Sequence, residues 1–140
     1  MWLALRVAKA ADFVKEAGGL DAKVEQSGSN FSGGQRQRLA IARTIIKPAS
    51  IYIFDDSFSA LDFKTDAELR QALKQDSQLQ NAVSVIVAQR VSTVANADLI
   101  IVLDDGKVVG QGTHEQLMKD NPVYQEIVYS QIAKGDDQNA

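Results

Sequence analysis

The sequence predicts an α/β fold, with a helical lobe over residues 1–46 and a parallel-sheet core over residues 47–135. Three observations carry that prediction. Ile51-Tyr52-Ile53-Phe54 and Val83 to Ala88 are short apolar runs, the pattern of strands buried on both faces of a parallel sheet. The first run ends in two carboxylates, Asp55 and Asp56, at the C-terminal strand end where open α/β sheets place their ligands. Three segments, Ser32 to Gln35, Thr65 to Glu68 and Thr113 to Gln116, have the S/T-x-x-E/Q spacing of a capping box that opens a helix.

In chain order, Trp2 to Glu16 predicts one helix, with Leu3, Val7, Ala10 and Val14 on its buried face and Gly18-Gly19 as its stop. Leu20 to Asn30 is a loop. A second helix runs from Gly33 to Ile46, with Leu39, Ala42, Ile45 and Ile46 as its buried stripe. Arg36, Arg38 and Arg43 fall elsewhere, on a solvated or salt-bridged face, and Lys47-Pro48 ends the helix. Tyr52 and Phe54 are sheet core. Thr65 opens a helix to about Lys74, and Gln75 to Asn81 is polar linker. Leu99 to Leu103 is a third parallel strand, and Asp105-Gly106 turns it into a hairpin with Lys107 to Val109. Asp104-Asp105 is turn chemistry rather than a metal site. A short helix follows Thr113, Val123 to Ile132 forms the last helix, and the polar end, residues 136–140, is a disordered tail.

Length and composition exclude several classes. The chain has 140 residues, enough for one domain, with 45% hydrophobic residues and a net charge of −3. The absence of a basic excess argues against a nucleic-acid partner. With no cysteine there is neither a disulfide framework nor thiolate chemistry. No apolar run reaches the ~18 residues of a membrane helix, and Arg6 and Lys9 interrupt the only signal-like segment.

The run Asn30-Phe31-Ser32-Gly33-Gly34-Gln35-Arg36-Gln37-Arg38-Leu39 is the chemical centre. Each glycine in a helix costs up to ~1 kcal/mol. Two of them in a first turn let an anion approach bare N–H groups at the positive end of the helix dipole. Alone, the run reads equally as a flexible loop before a helix. The carboxylate pair after Phe54 strengthens the phosphate reading, because Asp55 can hold a hydrated Mg²⁺ and Asp56 can stand beside a phosphate.

Together these motifs resemble the ATP-binding-cassette (ABC) ATPases, a P-loop NTPase-like fold, over nearly the whole chain. Phe31-Ser32-Gly33-Gly34-Gln35 resembles the signature motif, Ile51 to Asp55 resembles Walker B, and Ser59-Ala60-Leu61-Asp62 is similar to the D-loop. The sequence contains no G-x-x-x-x-G-K-[ST] phosphate loop. The resemblance therefore implies the C-terminal portion of a nucleotide-binding domain whose Walker A loop is expected upstream, and a 140-residue chain inactive by itself.

Departures from the family pattern are informative. Asp56 stands where the family has the glutamate that polarises the attacking water, and a carboxylate shortened by a methylene is misplaced by enough to cost ~10²-fold. Gln89 stands where it has a histidine, and an amide carries no proton near pH 7. Val24-Glu25-Gln26-Ser27-Gly28 replaces the usual V-G-E-R-G loop that touches a transmembrane domain. The resemblance then implies one half of a heterodimeric, multidrug-type ABC exporter using ATP and Mg²⁺. Asp55, Asp56 and Gln89 belong to a degenerate site. Ser32, Gly33, Gly34 and Gln35 complete the competent site of a second nucleotide-binding domain. His114, in the G-x-H-x-x-L run, is structural. The alternatives are a soluble ABC ATPase of DNA repair or translation, and a truncated non-catalytic interaction module.

Overall fold

The computed structural model describes residues 1–136, with side chains through Ile132. It contains two compact units, Met1–Ala88 and a second from Gln89 onward.

In the first unit, two helices stand where one was expected: α1 (Trp2–Val7) and α2 (Ala11–Glu16). The break is at Lys9, whose φ of 55° is left-handed. Its carbonyl leaves the helical ladder and accepts a 2.7 Å hydrogen bond from Arg38 Nη1. The bend re-aims the apolar face, so that Ala4, Leu5, Ala8, Ala10, Ala11 and Val14 are buried while Leu3 is exposed. Helix α3 (Gly33–Ile45) opens with the expected capping box at Ser32. It buries Ile41, Ala42 and Ile45; Ile46 is exposed and Leu39 only partly covered. Arg36 and Arg38 are not simply solvated. Arg36 donates to the Phe31 carbonyl at 2.6 Å, and Arg38 also lies over the Phe13 ring.

Strands β1 (Ile51–Asp55) and β2 (Val83–Val87) pair in parallel, from Ile51 opposite Val83 to Asp55 opposite Val87. Tyr52 and Phe54 point into the core, where Phe54 meets Phe58 at 5.8 Å between ring centroids. The expectation of burial on both faces does not hold for the described chain. Ile51 and Ile53 are 59% and 64% exposed, and Val83, Val85 and Val87 are exposed with them. An unbroken apolar run reports that both faces are oily, and only packing decides which is covered.

Helix α4 (Phe63–Gln75) starts one turn earlier than Thr65 predicted. Its N-cap is Asp62, whose carboxylate accepts from the Thr65 N–H at 2.9 Å. Aspartate in extended conformation before the helix is as good a cap as threonine and takes the earlier position. Inside α4, buried Asp66 takes both contacts, each 3.2 Å, from the Arg70 guanidinium. The expected linker holds a further turn, α5 (Ser77–Gln80), capped by Asp76.

The second unit contains α6 (Val91–Val94), β3 (Ile100–Asp104), β4 (Lys107–Gly112), α7 (His114–Asp120) and α8 (Pro122–Asp136). Asp105 and Gly106 both have positive φ, 46° and 72°, as a tight hairpin of right-handed twist requires. That turn commits β3 to β4 in a separate antiparallel sheet, so the third parallel strand expected at Leu99–Leu103 is not formed among the described residues. Ile100 and Val102 pack with Leu117, Tyr124 and Val128. Thr113 and Gln116 form the expected capping box of α7. Helix α8 passes the predicted end at Ile132 and includes residue 136, the first of the expected tail; residues 137–140 lie outside the described residues.

Candidate functional site

The start of α3 is built from two devices. Phe31 is buried and meets the Phe13 ring edge-on at 5.9 Å, which anchors the residue before the cap. Ser32 Oγ accepts from the Gln35 N–H at 3.2 Å, while Gln35 Oε1 accepts from the Ser32 N–H at 2.8 Å. The helix supplies no acceptor for the N–H groups of Gly33 and Gly34. The result is a fixed, dipole-positive helix end with an exposed hydroxyl at Ser32.

The two glycines differ. A Cβ on Gly33 would meet only Ala60 Cβ at 3.5 Å, an ordinary contact. A Cβ on Gly34 would meet the Ala60 carbonyl oxygen at 3.0 Å and Leu61 Cδ2 at 3.3 Å. Gly34 therefore keeps α3 close to the 59–62 segment, a role its sequence position did not announce.

Asp55 and Asp56 are both exposed at the end of β1. Asp56 N–H donates to the Val87 carbonyl at 3.0 Å, extending the β1–β2 ladder by one bond. Its φ of 47° then turns the chain away from the sheet. One carboxylate oxygen, Oδ2, accepts from Ser59 Oγ at 3.0 Å. From there the chain passes through Ala60 and buried Leu61 to the cap at Asp62. Asp62 is held below the usual carboxylate range, chiefly by the Thr65 backbone N–H and then by the Thr65 side chain.

Sequence reasoning missed Gln37. From the second turn of α3 its Nε2 donates to the Asp56 carbonyl at 3.1 Å and to Ser59 Oγ at 3.0 Å. Its Oε1 accepts from the Ala60 N–H at 2.9 Å. The first unit thus joins the α3 start to the 55–62 segment. A neutral amide on a helix has no periodicity or charge signal, so nothing in the sequence marked it.

Gln89 opens the second unit and is exposed. Its carbonyl accepts from Gln131 Nε2 at 2.7 Å, and Gln131 Oε1 accepts from the Val91 N–H at 2.9 Å. One amide from α8 holds the 89–91 turn, a second glutamine without a sequence signal. His114 Nδ1 lies 2.8 Å from the hydroxyl of Tyr124, whose pKa burial raises. That pairing is the structural role expected of His114. An apolar cavity of about 300 Å³, lined by Leu5, Val14, Leu20, Val24, Phe31 and Leu39 among others, shares Phe31 and Leu39 with the central run but is lined by none of Ser32 to Gln35, Asp55, Asp56 or Gln89.

A family model described as "ABC transporter" matches residues 3–59. An uncharacterized ABC transporter ATP-binding protein of Mycobacterium tuberculosis is 55% identical over 131 residues, which is 94% of this chain and 22% of that protein. An ATP-dependent lipid A-core flippase of Neisseria meningitidis is 50% identical over 106 residues, 76% of this chain and 17% of the flippase. A solved structure of a bacterial Atm1-family ABC exporter with ATP bound superposes with a TM-score of 0.87 at 35% identity, covering 94% of this chain and 23% of the exporter chain. The chain spans about a fifth of the length of the curated relatives it matches. In sequence and in fold alike, the chain belongs to the ABC transporter ATP-binding domain family.

Proposed function

We propose that the chain is an ATP-binding segment of an ABC-type exporter and supplies one half of an asymmetric, heterodimeric pair of nucleotide-binding domains. In this role it works at the cytoplasmic face of a membrane, attached to a transmembrane domain, and couples ATP binding and hydrolysis to export. Relatives named as a flippase and as an Atm1-family exporter support the transport role.

The observation that carries the asymmetry is an intact signature beside two altered chemical positions. Ser32, Gly33 and Gly34 offer a hydroxyl and two N–H groups suited to a γ-phosphate held by the partner domain. Gln35 fixes that helix end through the capping box. Asp56 reaches a methylene less far than glutamate, and Ser59 Oγ occupies one of its oxygens. Gln89 can donate a hydrogen bond to a phosphate but cannot take up a proton. The chain's own site then binds ATP and turns it over slowly.

The residues present fit Mg²⁺. Magnesium uses one or two carboxylates together with phosphates and water, and Asp55 presents a single exposed carboxylate at the strand end. The phosphates of a nucleotide would supply the ion's remaining ligands together with water. When bound, it neutralises charge on the phosphates. Ser59, Ala60, Leu61 and Asp62 link this site to the α3 start.

The test is Asp56→Glu combined with Gln89→His in the complete transporter. ADP trapped at this chain's own site should rise by ~10-fold or more. No rise would show that these two positions do not limit that site.

A further inference from the structure

We infer that Gln37 is a positioning residue that locks the start of α3 to the segment carrying Asp56 and Ser59. The inference rests on the proposal that both segments serve ATP, and it goes beyond it by naming the link between them.

Every polar atom of the Gln37 amide is committed to one short loop. The nitrogen bonds the Asp56 carbonyl at 3.1 Å and Ser59 Oγ at 3.0 Å, and the oxygen takes the Ala60 N–H at 2.9 Å. The loop needs such a partner. Asp56 is a non-glycine residue in left-handed conformation, which turns its carbonyl out of the β1–β2 ladder. Ser59 Oγ lies 3.0 Å from both that carbonyl and Asp56 Oδ2, so the hydroxyl that Gln37 holds also fixes the acid. The close approach of Gly34 to the Ala60 carbonyl, one helical turn before Gln37, is a second contact between the same two segments.

A displacement of the α3 start by a phosphate would therefore reach the 56–60 loop through the Gln37 amide and the Gly34–Ala60 contact. Displacement of the 56–60 loop returns by the same path. Gln37 itself touches no nucleotide in this scheme. Its loss should loosen the α3 start that serves the partner's ATP, so turnover falls even though Asp56 belongs to the slow site, while ATP affinity is unchanged.

The experiment uses the complete transporter that contains this chain, with Gln37→Met, which keeps the length and apolar bulk but makes none of the three bonds. Steady-state kcat should fall about tenfold with KM for ATP within about twofold of wild type. A cycle with Ser59→Ala should be non-additive, because that hydroxyl is a shared contact. Gln37→Glu keeps the Ala60 bond and can accept from the Ser59 hydroxyl, but it sets a carboxylate oxygen against the Asp56 carbonyl and should give an intermediate kcat; it also decides the question if Gln37→Met fails to fold. Unchanged kcat in a folded Gln37→Met or Gln37→Glu transporter overturns the inference, as does full additivity with Ser59→Ala. Gly33→Asp, measured beside them, separates the two layers. If it abolishes turnover while the Gln37 variants are silent, only the Gln37 role falls. If Gly33→Asp is also silent, the signature assignment falls with it.

Discussion

Gly34 faces the carbonyl of Ala60 so closely that a single added methyl carbon would sit 3.0 Å from its oxygen. Gly33, one residue earlier, has room for that carbon. The pair of glycines thus divides into one that preserves close packing against the 59–62 loop and one with room for a side chain at the helix end.

Alanine substitution should resolve that division. Gly33→Ala places a better helix former in α3 at an ordinary contact and should raise stability by up to ~1 kcal/mol. Gly34→Ala must push the Ala60 backbone away by a few tenths of an ångström and should cost about 1 kcal/mol or more. Thermal unfolding of the two variants measures the difference. Equal Tm values would mean that the loop yields freely.

Asp62 gives the chain an acid-sensitive cap. Its carboxyl is lowered from the ordinary value of 3.8, first by the Thr65 backbone N–H and next by the Thr65 side chain. A carboxyl whose folded pKa is depressed contributes fully above its unfolded pKa, and the contribution is lost as pH falls through the folded value. Asp62→Asn still accepts from the Thr65 N–H but does not titrate. Unfolding curves taken from about pH 5 to about pH 2 should therefore fall less steeply for Asp62→Asn than for wild type. Parallel curves would remove Asp62 from the acid transition.

The Asp66–Arg70 pair should be asymmetric under truncation. Arg70→Ala leaves a carboxylate that is 1% exposed without its partner and should destabilise by about 3 kcal/mol. Asp66→Ala removes the buried charge and leaves a half-buried guanidinium that can reach water, so its cost should be smaller. Chemical denaturation of both variants reads the order, and the reverse order would show that the Asp66 site is mainly a packing site.

What could be read from the sequence was whatever is local and periodic. The caps at Ser32 and Thr113, the β1 segment with its two terminal carboxylates, the core positions of Tyr52 and Phe54, and the Asp105-Gly106 turn all follow from near neighbours in the chain. What escaped depends on distant partners. Lys9 breaks the first helix because Arg38, far along the chain, takes its carbonyl. Asp62 displaced Thr65 as cap because both are valid caps and only the fold chooses. Ile53 looks as buried as Phe54 by composition, yet only Phe54 joins the core cluster, where it meets Phe58, while Ile53 is exposed. Gln37 and Gln131 carry no pattern at all; their roles exist only once loops are folded against them.

The proposed division of labour between the α3 start and Asp56 is tested most directly by Gly33→Asp against Asp56→Asn. The structure favours Gly33 over Gly34 for the purpose, because a side chain at Gly33 does not collide with the 59–62 loop. An aspartate in the first turn also suits the helix dipole, so the domain should remain folded. On the proposed role, its carboxylate would nevertheless stand where the partner's γ-phosphate approaches. In the complete transporter, ATP turnover should drop by at least ~10²-fold for Gly33→Asp, and Asp56→Asn should stay within about threefold of wild type. Turnover abolished by Asp56→Asn but preserved in Gly33→Asp would contradict this: Asp56 would then be the working base, and the site on this chain would not be the slow one.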